Sequence, residues 1–401
     1  MGDKILKQIR IMDLSRVLAG PWATQLLADY GAEIIKIEHP VNGDSTRKWG
    51  PPWNKNDDQR NASYFYSTNR GKLSLTCDLK TSEGQSIIKN LAKHCDVVVE
   101  NFKYGTMDKY GLSVEVLREL NPNLIYCSIS AYANNSSLKN EVGYDAMIQA
   151  SAGLMSVTGE RNGKPQKVGV AIADIMTGMY AATAILASLY QRSKTGTVQD
   201  INVPLYDSQV AWLANQNMNF LMSNEVPLKN GNAHPNIAPY QTFSTSDGDI
   251  MVAVGSDDQF LKFMRCIGCS DQKIIDNFKY NEQRVEKINE LDVIISKLII
   301  KKTTSYWLYE LKDNNIPCGP INNISDVFKS DYANEMGFVR YGENSTDKRV
   351  PTVKNPVKFS RHEINYDQAS PNHGENKYDI LRNLLGYTED EIIELENKKV
   401  I

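Results

Sequence analysis

A single aspartate, Asp174, is the strongest candidate for a catalytic group in this sequence. It is the only charged residue between the apolar run Val168–Ala173 and a helical pattern that begins at Ile175. The apolar spacing predicts a helix from about Ile175 to Ser193, so Asp174 stands at its N-terminal end. We expect the helix dipole to keep the carboxylate ionised there. Such a carboxylate can act as a covalent nucleophile, and an ordinary helix N-cap is the alternative interpretation of the same position.

Alternating strands and helices in the first half of the chain must position this residue. The alternation predicts a parallel sheet with helices on both faces. After a helical pattern at Ser208–Phe220, the segment Asn224–Pro239 is rich in Asn, Pro and Gly, which predicts a linker into a second, smaller unit. The predicted strands are Ile9–Leu14, Glu33–Glu38, Asp96–Glu100 and Leu124–Ile129, and the predicted helices between them are Trp22–Asp29, Glu83–His94 and Val114–Leu120.

Composition restricts the compartment and the partners of this 401-residue chain. Charged residues make up 23% and the net charge is −3, which favours neither nucleic acid nor an anionic membrane as a partner. The longest apolar stretch, Met179–Tyr190, is too short to span a bilayer. Six cysteines without a disulfide pattern indicate a reducing compartment. Cys266 and Cys269 lack the second pair that a zinc site needs, so no metal is expected. Since no signal peptide precedes the first strand, we expect a cytoplasmic protein, or a mitochondrial-matrix protein if a transit peptide has been removed.

A dinucleotide-binding protein is one alternative, because Glu38 ends the second strand where such proteins bind ribose. Where the glycine-rich phosphate loop should lie, however, the segment Gly20–Gln25 contains one glycine and two bulky rings. These rings prevent the close backbone approach of a pyrophosphate. The sequence therefore argues against NAD binding.

A longer series of motifs indicates one family. In chain order the motifs are Arg16–Pro21, Lys36–Glu38, Asp44–Arg47, Glu100–Phe102, Gly143–Asp145, Ser151–Met155, Thr158–Gly159, Gly163–Pro165, Ala173–Asp174, Thr177–Gly178, Thr195–Gly196, Gln199–Val203, Pro317–Pro320 and Pro356–Ser360. From about Ile9 to the C-terminus this series resembles the class III CoA-transferase family (the CaiB/BaiF type, which includes formyl-CoA transferase). Within the family the chain is most similar to the succinyl-CoA:glutarate (succinate–hydroxymethylglutarate) type, because of Trp49–Pro52, Tyr126–Ile129 and Ala233–Phe243.

The resemblance implies an α/β fold, with a Rossmann-like parallel sheet in a large domain and a smaller α+β domain beside it. The implied division is 1–223 for the first part of the large CoA-binding domain, 224–330 for the small domain with its linker, and 331–401 for a segment that returns to the large domain. An interlocked homodimer is implied as well. In the implied reaction, CoA moves from an acyl-CoA such as succinyl-CoA to a short dicarboxylic acid such as glutarate, through a covalent intermediate on Asp174. CoA is then a substrate and no cofactor is tightly bound.

The resemblance also implies where CoA binds. The expected contacts are Leu18, Ala19, His39, Leu79, Lys80, Asn101, Phe102, Lys109, Ser130, Ala131 and Tyr132. Two of them depart from the family pattern, since His39 and Lys109 stand where well-studied members carry arginine. Lys109 can still meet a phosphate as a point charge, although it lacks the forked geometry of arginine.

A dicarboxylic acceptor needs a cation for its distal carboxylate, and arginine suits this role. Arg47 and His234 are the candidates, while Gly231 is a candidate for a mobile loop that approaches the substrate. Each has a structural alternative. Arg47 can form an ion pair with Asp44, His234 can have a structural role, and Gly231 can belong to a plain inter-domain turn.

An α-methylacyl-CoA racemase is the main competing function, because these enzymes belong to the same fold family. Racemisation needs two opposed acid/base groups, typically a histidine and an aspartate. The Gly-x-Asp segment that carries the racemase histidine has Tyr144 in the middle position here, and tyrosine, with a pKa of about 10, is a poor base. A CoA-binding protein without catalysis is a further alternative, and the presence of Asp174 argues against it.

Overall fold

The computed structural model describes residues 5–56 and 60–401, and the chain divides into two compact units. The first unit comprises Met1–Leu154, Val168–Asn217 and Glu335–Ile401, and the second comprises Met155–Lys167 and Met218–Asn334. The first unit is therefore assembled from separate stretches of chain. The position of Met155–Lys167 in the second unit was not expected, because the sequence placed this segment inside the large domain.

Strands and helices alternate through the first half of the chain. The strands are β1 Arg10–Asp13, β2 Glu33–Glu38, β3 Lys72–Thr76, β4 Val97–Glu100, β5 Ile125–Ser130, β6 Asp200–Pro204, β7 Tyr240–Ser244, β8 Asp249–Ala253, β9 Cys318–Pro320, β10 Val339–Gly342 and β11 Val350–Val353. The helices are α1 Ala19–Asp29, α2 Ser63–Tyr66, α3 Ser82–Ala92, α4 Thr106–Lys109, α5 Val114–Leu120, α6 Asp145–Ser151, α7 Leu154–Val157, α8 Ile172–Thr195, α9 Leu205–Trp212, α10 Asn215–Ser223, α11 Asp257–Cys266, α12 Gln272–Asn277, α13 Asn281–Glu286, α14 Ile288–Ile299, α15 Thr304–Asp313, α16 Ile324–Lys329, α17 Asp331–Met336, α18 Lys377–Asp379 and α19 Glu389–Asn397. A 3-10 turn spans Ser45–Lys48 and a π-helical turn spans Ile380–Leu384.

The first unit is built around a parallel six-stranded sheet in the order β3-β2-β1-β4-β5-β6. Its central strands are apolar, as expected for a sheet that helices cover on both faces: Ile34, Ile35 and Val97–Val99 are fully buried. The carboxyl ends of β1 and β4 are neighbours at the point where the strand order reverses, and ligands bind at that point in such sheets. The predicted Rossmann-like α/β fold is confirmed.

Strand β3 was not predicted, because Lys72, Ser74 and Thr76 give it a polar alternation. All three residues are nevertheless buried. The Lys72 ammonium lies 3.0 Å from the Asp13 carboxylate, and the Ser74 hydroxyl donates to Glu38 at 2.7 Å. A polar residue can occupy the interior when its hydrogen bonds are satisfied there, so this strand is polar and internal at once.

Helix α8 begins at Ile172 rather than at the predicted Ile175. Asp174 consequently lies inside the first helical turn rather than before it. The helix packs against α1, and a glycine permits the close approach: a Cβ on Gly178 would lie 2.6 Å from the carbonyl oxygen of Ala19. The helix ends before Gly196, which has a φ of +72°, a conformation that glycine adopts at little cost.

Among the described residues, α8 is the one helix that is long and apolar enough to cross a membrane. The sequence analysis had argued against a membrane span, because the apolar stretch Met179–Tyr190 is shorter than a span requires. In the structure, Ala173, Ala181 and Ile185 are fully buried and belong to the core of the first unit. Core helices pass the same test of length and composition, and the packing identifies α8 as one of them.

The second unit contains an antiparallel three-stranded sheet in the order β7-β8-β9. Helices α14 and α15 pack against it, and Phe260, Phe263 and Ile295 are fully buried in its core. Arg284 is also fully buried. It is stabilised by hydrogen bonds, including one of 2.6 Å to the carbonyl oxygen of Ala238. The architecture agrees with the predicted small α+β domain.

Candidate active site

A cavity of about 330 Å³ lies in the first unit at the carboxyl ends of β1, β4 and β5. Asp174 contributes to its wall from the first turn of α8. The cavity is therefore at the switch point of the sheet, where this topology favours ligand binding. Its wall comprises Arg16–Ala19, Ser45, Asn101–Tyr104, Ile129–Ala131, Lys139, Glu141–Tyr144, Asp174 and Leu205.

A second carboxylate, that of Asp145, holds the start of α8. Its Oδ1 accepts hydrogen bonds from the backbone N–H groups of Ala173 at 2.8 Å and Asp174 at 3.4 Å. First-turn amides have no partner within their own helix, so Asp145 acts as a cap from another part of the chain. Ala171, at the N-cap position, supplies no side-chain hydrogen bond. The alternative interpretation of Asp174 as the N-cap is wrong.

The amide of Gln149 connects Asp145 to the segment that precedes α8. Gln149 is fully buried. Its Nε2 donates to Oδ2 of Asp145 at 2.7 Å, and its Oε1 accepts from the backbone N–H of Val168 at 2.8 Å. Nε2 also donates to the carbonyl oxygen of Val170 at 3.3 Å. These bonds fix the chain immediately before Asp174, so the two aspartates keep a set position relative to each other.

Burial raises the pKa of Asp174 to about 7, and the negative charge of Asp145 raises it further in the same direction. The sequence had predicted an aspartate that the helix dipole keeps ionised, and that prediction is wrong. The main reason is burial, and in addition the first-turn amides donate to Asp145. The charge of Asp145 therefore opposes the dipole at the position of its neighbour. Asp174 is half-buried, and it lines the cavity.

Tyr64 lies outside the cavity lining but within the electrostatic influence of the site, which the sequence did not reveal. Burial raises the pKa of its phenol to about 12, and the charges of Asp174, Asp145 and Asp44 contribute to the rise. The phenol is therefore protonated at neutral pH and lies near the two aspartates. No motif or periodicity marks Tyr64 in the sequence, whereas Asp145 stands in a motif and could have been identified from it.

The turn after β1 is held in an uncommon conformation. Val17 has a φ of +72°, which is rare for a β-branched residue and costs on the order of 1–3 kcal/mol. Its N–H donates to the Asp44 carboxylate at 3.2 Å, and the buried Lys36 pairs with that carboxylate at 2.9 Å. On the other side, the Asn101 amide accepts from the N–H of Arg16 at 2.8 Å and donates to its carbonyl oxygen at 2.7 Å. These bonds fix the cavity wall that follows β1.

The expected CoA contacts fall into two groups, those that line the cavity and those that do not, and the roles of both stay predictions. Both groups include residues that follow the carboxyl ends of strands, which places them at one edge of the sheet. His39 follows β2, while Lys109 ends α4 and is exposed. The ring of Tyr132 packs against that of Tyr206, with centroids 5.6 Å apart. The cavity is lined by Leu18, Ala19, Asn101, Phe102, Ser130 and Ala131, and its lining does not include His39, Leu79, Lys80, Lys109 or Tyr132.

Arg47 has its guanidinium occupied inside the protein. Its Nε and Nη2 each donate to the Glu38 carboxylate at 2.7 Å, and its Nη1 donates to Asn61 at 3.0 Å. Arg47 is buried and does not line the cavity of Asp174. The alternative of an ion pair with Asp44 is wrong, since Asp44 pairs with Lys36 and Arg47 pairs with Glu38. These contacts give Arg47 a structural role, and its contact with the substrate stays a prediction.

Gly231 and His234 belong to the second unit. Gly231 has a φ of +59°, and its N–H donates to the carbonyl oxygen of Gly159 at 3.1 Å. The His234 ring stacks on Tyr240 with centroids 5.3 Å apart, and its Nδ1 accepts from the N–H of Asn236 at 3.1 Å. These contacts are typical of an ordered turn, and the substrate roles of both residues stay predictions.

Comparison with known proteins agrees with the fold and identifies the family. A family model described as CoA-transferase family III matches residues 6–377. The chain therefore belongs to CoA-transferase family III. It is a class III CoA-transferase, and CoA thioesters are the substrates of such enzymes. The resemblance that the motifs indicated is confirmed.

Individual relatives are similar over nearly the whole chain. The chain is 42% identical over 381 residues to the succinate–glutarate CoA-transferase of Agrobacterium fabrum, which covers 94% of this chain and 95% of that protein. It is 39% identical over 400 residues to the succinyl-CoA:glutarate CoA-transferase of Homo sapiens, which covers 99% and 90%. A solved CaiB/BaiF family protein from Brucella suis aligns with a TM-score of 0.85 and 41% identity, over 95% of this chain and 99% of that one.

The pKa of Asp174 gives a prediction about pH dependence. If the ionised carboxylate is the reactive form, kcat/KM of the wild-type protein falls as pH drops through about 7. Asp145→Asn removes the neighbouring charge, so the pKa of Asp174 moves toward its ordinary value and the acidic limb shifts to lower pH. The measurement is a pH profile of kcat/KM for both proteins, with thermal unfolding to verify the fold. Superimposable acidic limbs would contradict the assignment.

Proposed function

We propose that this protein transfers CoA from succinyl-CoA to a short dicarboxylic acid such as glutarate, and that Asp174 is the covalent nucleophile. The position of Asp174 carries the proposal, because a half-buried carboxylate lines the switch-point cavity beside a second carboxylate, Asp145. The similarity to enzymes named for succinate and glutarate supports this choice of substrates.

Each step of the proposed reaction exchanges one acyl bond for another. An Asp174 oxygen attacks the thioester carbonyl of succinyl-CoA, and the CoA thiolate leaves, which gives a mixed anhydride. The thiolate then attacks the carbonyl carbon of Asp174, which releases succinate and leaves a thioester between Asp174 and CoA. The acceptor carboxylate attacks that thioester to form a second anhydride. Finally the thiolate attacks the acceptor's carbonyl carbon, and the acceptor leaves as its CoA thioester. Water takes no part.

The charge of Asp145 favours acylation of its neighbour. Burial and this charge both destabilise the ionised form of Asp174. Acylation removes the negative charge of Asp174, so the repulsion is lost in the anhydride and in the thioester. A repulsion that is stronger in the ground state than along the reaction lowers the barrier. The same pair of carboxylates therefore explains both the raised pKa and the reactivity.

Replacing the nucleophile tests the proposal. We expect Asp174→Asn and Asp174→Ala to lower the transfer rate by at least about 1,000-fold, because no covalent intermediate can form. Wild-type protein incubated with succinyl-CoA alone accumulates an adduct on Asp174, which intact-mass spectrometry detects and hydroxylamine traps. Neither variant forms it.

Asp207 offers a matched control for this experiment. It occupies the first turn of α9, as Asp174 does in α8, and it is exposed and absent from the cavity lining. Asp207→Asn keeps both the transfer activity and the adduct. An Asp174→Asn variant that retains more than a few per cent of activity would show that the nucleophile is another group.

The racemase alternative makes a different prediction. Tyr144 lines the cavity, and no histidine does so among the residues that the structure describes. Because the histidine that racemisation typically uses is replaced by Tyr144, we expect a 2-methylacyl-CoA incubated with the protein in deuterated water to stay unlabelled at its α-carbon. Nuclear magnetic resonance or mass spectrometry of the recovered thioester measures the label. Rapid deuterium incorporation that needs no carboxylic acid would refute the transferase proposal.

A further inference from the structure

The side chain of Arg16 is an open cation in the wall of the Asp174 cavity. Arg16 is exposed and lines the cavity. Its guanidinium carbon lies 5.0 Å from the centroid of the Phe102 ring. Within residues 5–56 and 60–401, no carboxylate forms an ion pair with it. Both features leave the hydrogen-bond donors of Arg16 available to an anion that enters the cavity.

The backbone of Arg16 is fixed although its side chain is open. The Asn101 amide forms hydrogen bonds with both the N–H and the carbonyl oxygen of Arg16. The next residue, Val17, is held in its left-handed conformation by the Asp44 carboxylate. Because the backbone that carries this cation is already fixed, it needs little further ordering when the side chain binds an anion, which favours specific recognition.

The packing of α8 places this turn beside the nucleophile. Asp174 and Gly178 are four residues apart in α8, so their Cα–Cβ directions lie on one face of the helix. On that face, Gly178 approaches the carbonyl oxygen of Ala19 so closely that a Cβ would lie 2.6 Å away. The face that carries Asp174 is therefore packed against the start of α1, and Arg16 precedes this start in the same cavity wall.

We propose that Arg16 binds the distal carboxylate of the dicarboxylic substrate while Asp174 reacts at the other end. This rests on the proposed function. The guanidinium fork matches a carboxylate with two parallel hydrogen bonds, and the Phe102 ring supports its plane from one side. Succinate and glutarate both carry a distal carboxylate, so Arg16 serves the donor half-reaction and the acceptor half-reaction alike.

The other cations near the site suit different ligands. The Arg47 fork is occupied by Glu38, so it cannot offer the same geometry. Lys103 and Lys139 also line the cavity, and the Lys139 ammonium lies 4.5 Å from the ring centroid of Tyr104. Lysines can bind phosphate groups as point charges, so these two are available to the phosphates of CoA, which leaves the Arg16 fork to the acid.

The test compares acids that differ only in the distal carboxylate. Wild-type, Arg16→Gln and Arg16→Lys proteins are assayed with glutarate and with pentanoate, and the inhibition constant of free CoA is measured for each. We expect Arg16→Gln to lower kcat/KM for glutarate by about 100-fold. The same variant should change kcat/KM for pentanoate by less than about 3-fold and the inhibition constant of free CoA by less than about 2-fold. Arg16→Lys recovers part of the loss, because it keeps the charge without the fork.

Each other outcome overturns the proposal. An unchanged kcat/KM for glutarate would remove Arg16 from recognition of the acid. A weakened inhibition by free CoA, which has no acyl group, would show that Arg16 contacts CoA instead. Failure of the proposed function is separate: it appears in the wild-type protein, as an absent Asp174 adduct or as no transfer to any dicarboxylic acid. If the adduct and the transfer are present while Arg16→Gln keeps its full activity with glutarate, only the Arg16 proposal fails.

Discussion

The carboxylate of Asp145 binds the backbone amides at the start of the helix that carries Asp174, and the rest of the site depends on that contact. Asp145 accepts hydrogen bonds from first-turn amides of α8, so the helix dipole is satisfied by a residue other than Asp174. Asp174 is left beside a fixed negative charge and partly out of water, which raises its pKa to about 7. The arrangement holds a carboxylate in an unfavourable charged state, which acylation would relieve in the proposed reaction. Asp145 thus caps the helix, while Asp174, the proposed nucleophile, has a raised pKa.

Buried polar groups hold the opposite wall of the cavity. Lys36 pairs with Asp44, which in turn binds the N–H of Val17 and maintains its positive φ. Burial opposes the charge of Asp13 beneath this turn, but the neighbouring Lys72 and Lys36 keep the pKa of Asp13 below its ordinary value. Ion pairs of this kind contribute little net stability, because desolvation opposes their attraction. Their effect here is geometric, since they position a strained turn against α8.

The apolar strands and their parallel arrangement could be predicted from the sequence, because a buried parallel strand is typically a β-branched run. Strand β3 could not, since its inward-facing Lys72 and Ser74 find partners only in the folded chain. Asp174, the strongest candidate from the sequence, lines the cavity, but its ionisation was predicted with the wrong sign because its burial could not be foreseen. Asp145, whose charge adds to the effect of burial, is distant in sequence. The contacts of Arg47 could not be predicted either, because nothing in its local sequence shows that its guanidinium binds Glu38.

Oxygen transfer tests most directly whether Asp174 is the nucleophile. In the proposed reaction, the thiolate attacks the acceptor's carbonyl carbon, so the bridging oxygen of the anhydride stays on Asp174 after each turnover. Glutarate labelled with oxygen-18 in both carboxylates should therefore leave one heavy oxygen in the peptide that contains Asp174, and in the next turnover that oxygen passes to succinate whenever it is the one that attacks succinyl-CoA. Mass spectrometry of the digested protein after a single turnover measures the label. A labelled succinate together with an unlabelled Asp174 peptide would mean that the two acids react directly, and the central claim would be wrong.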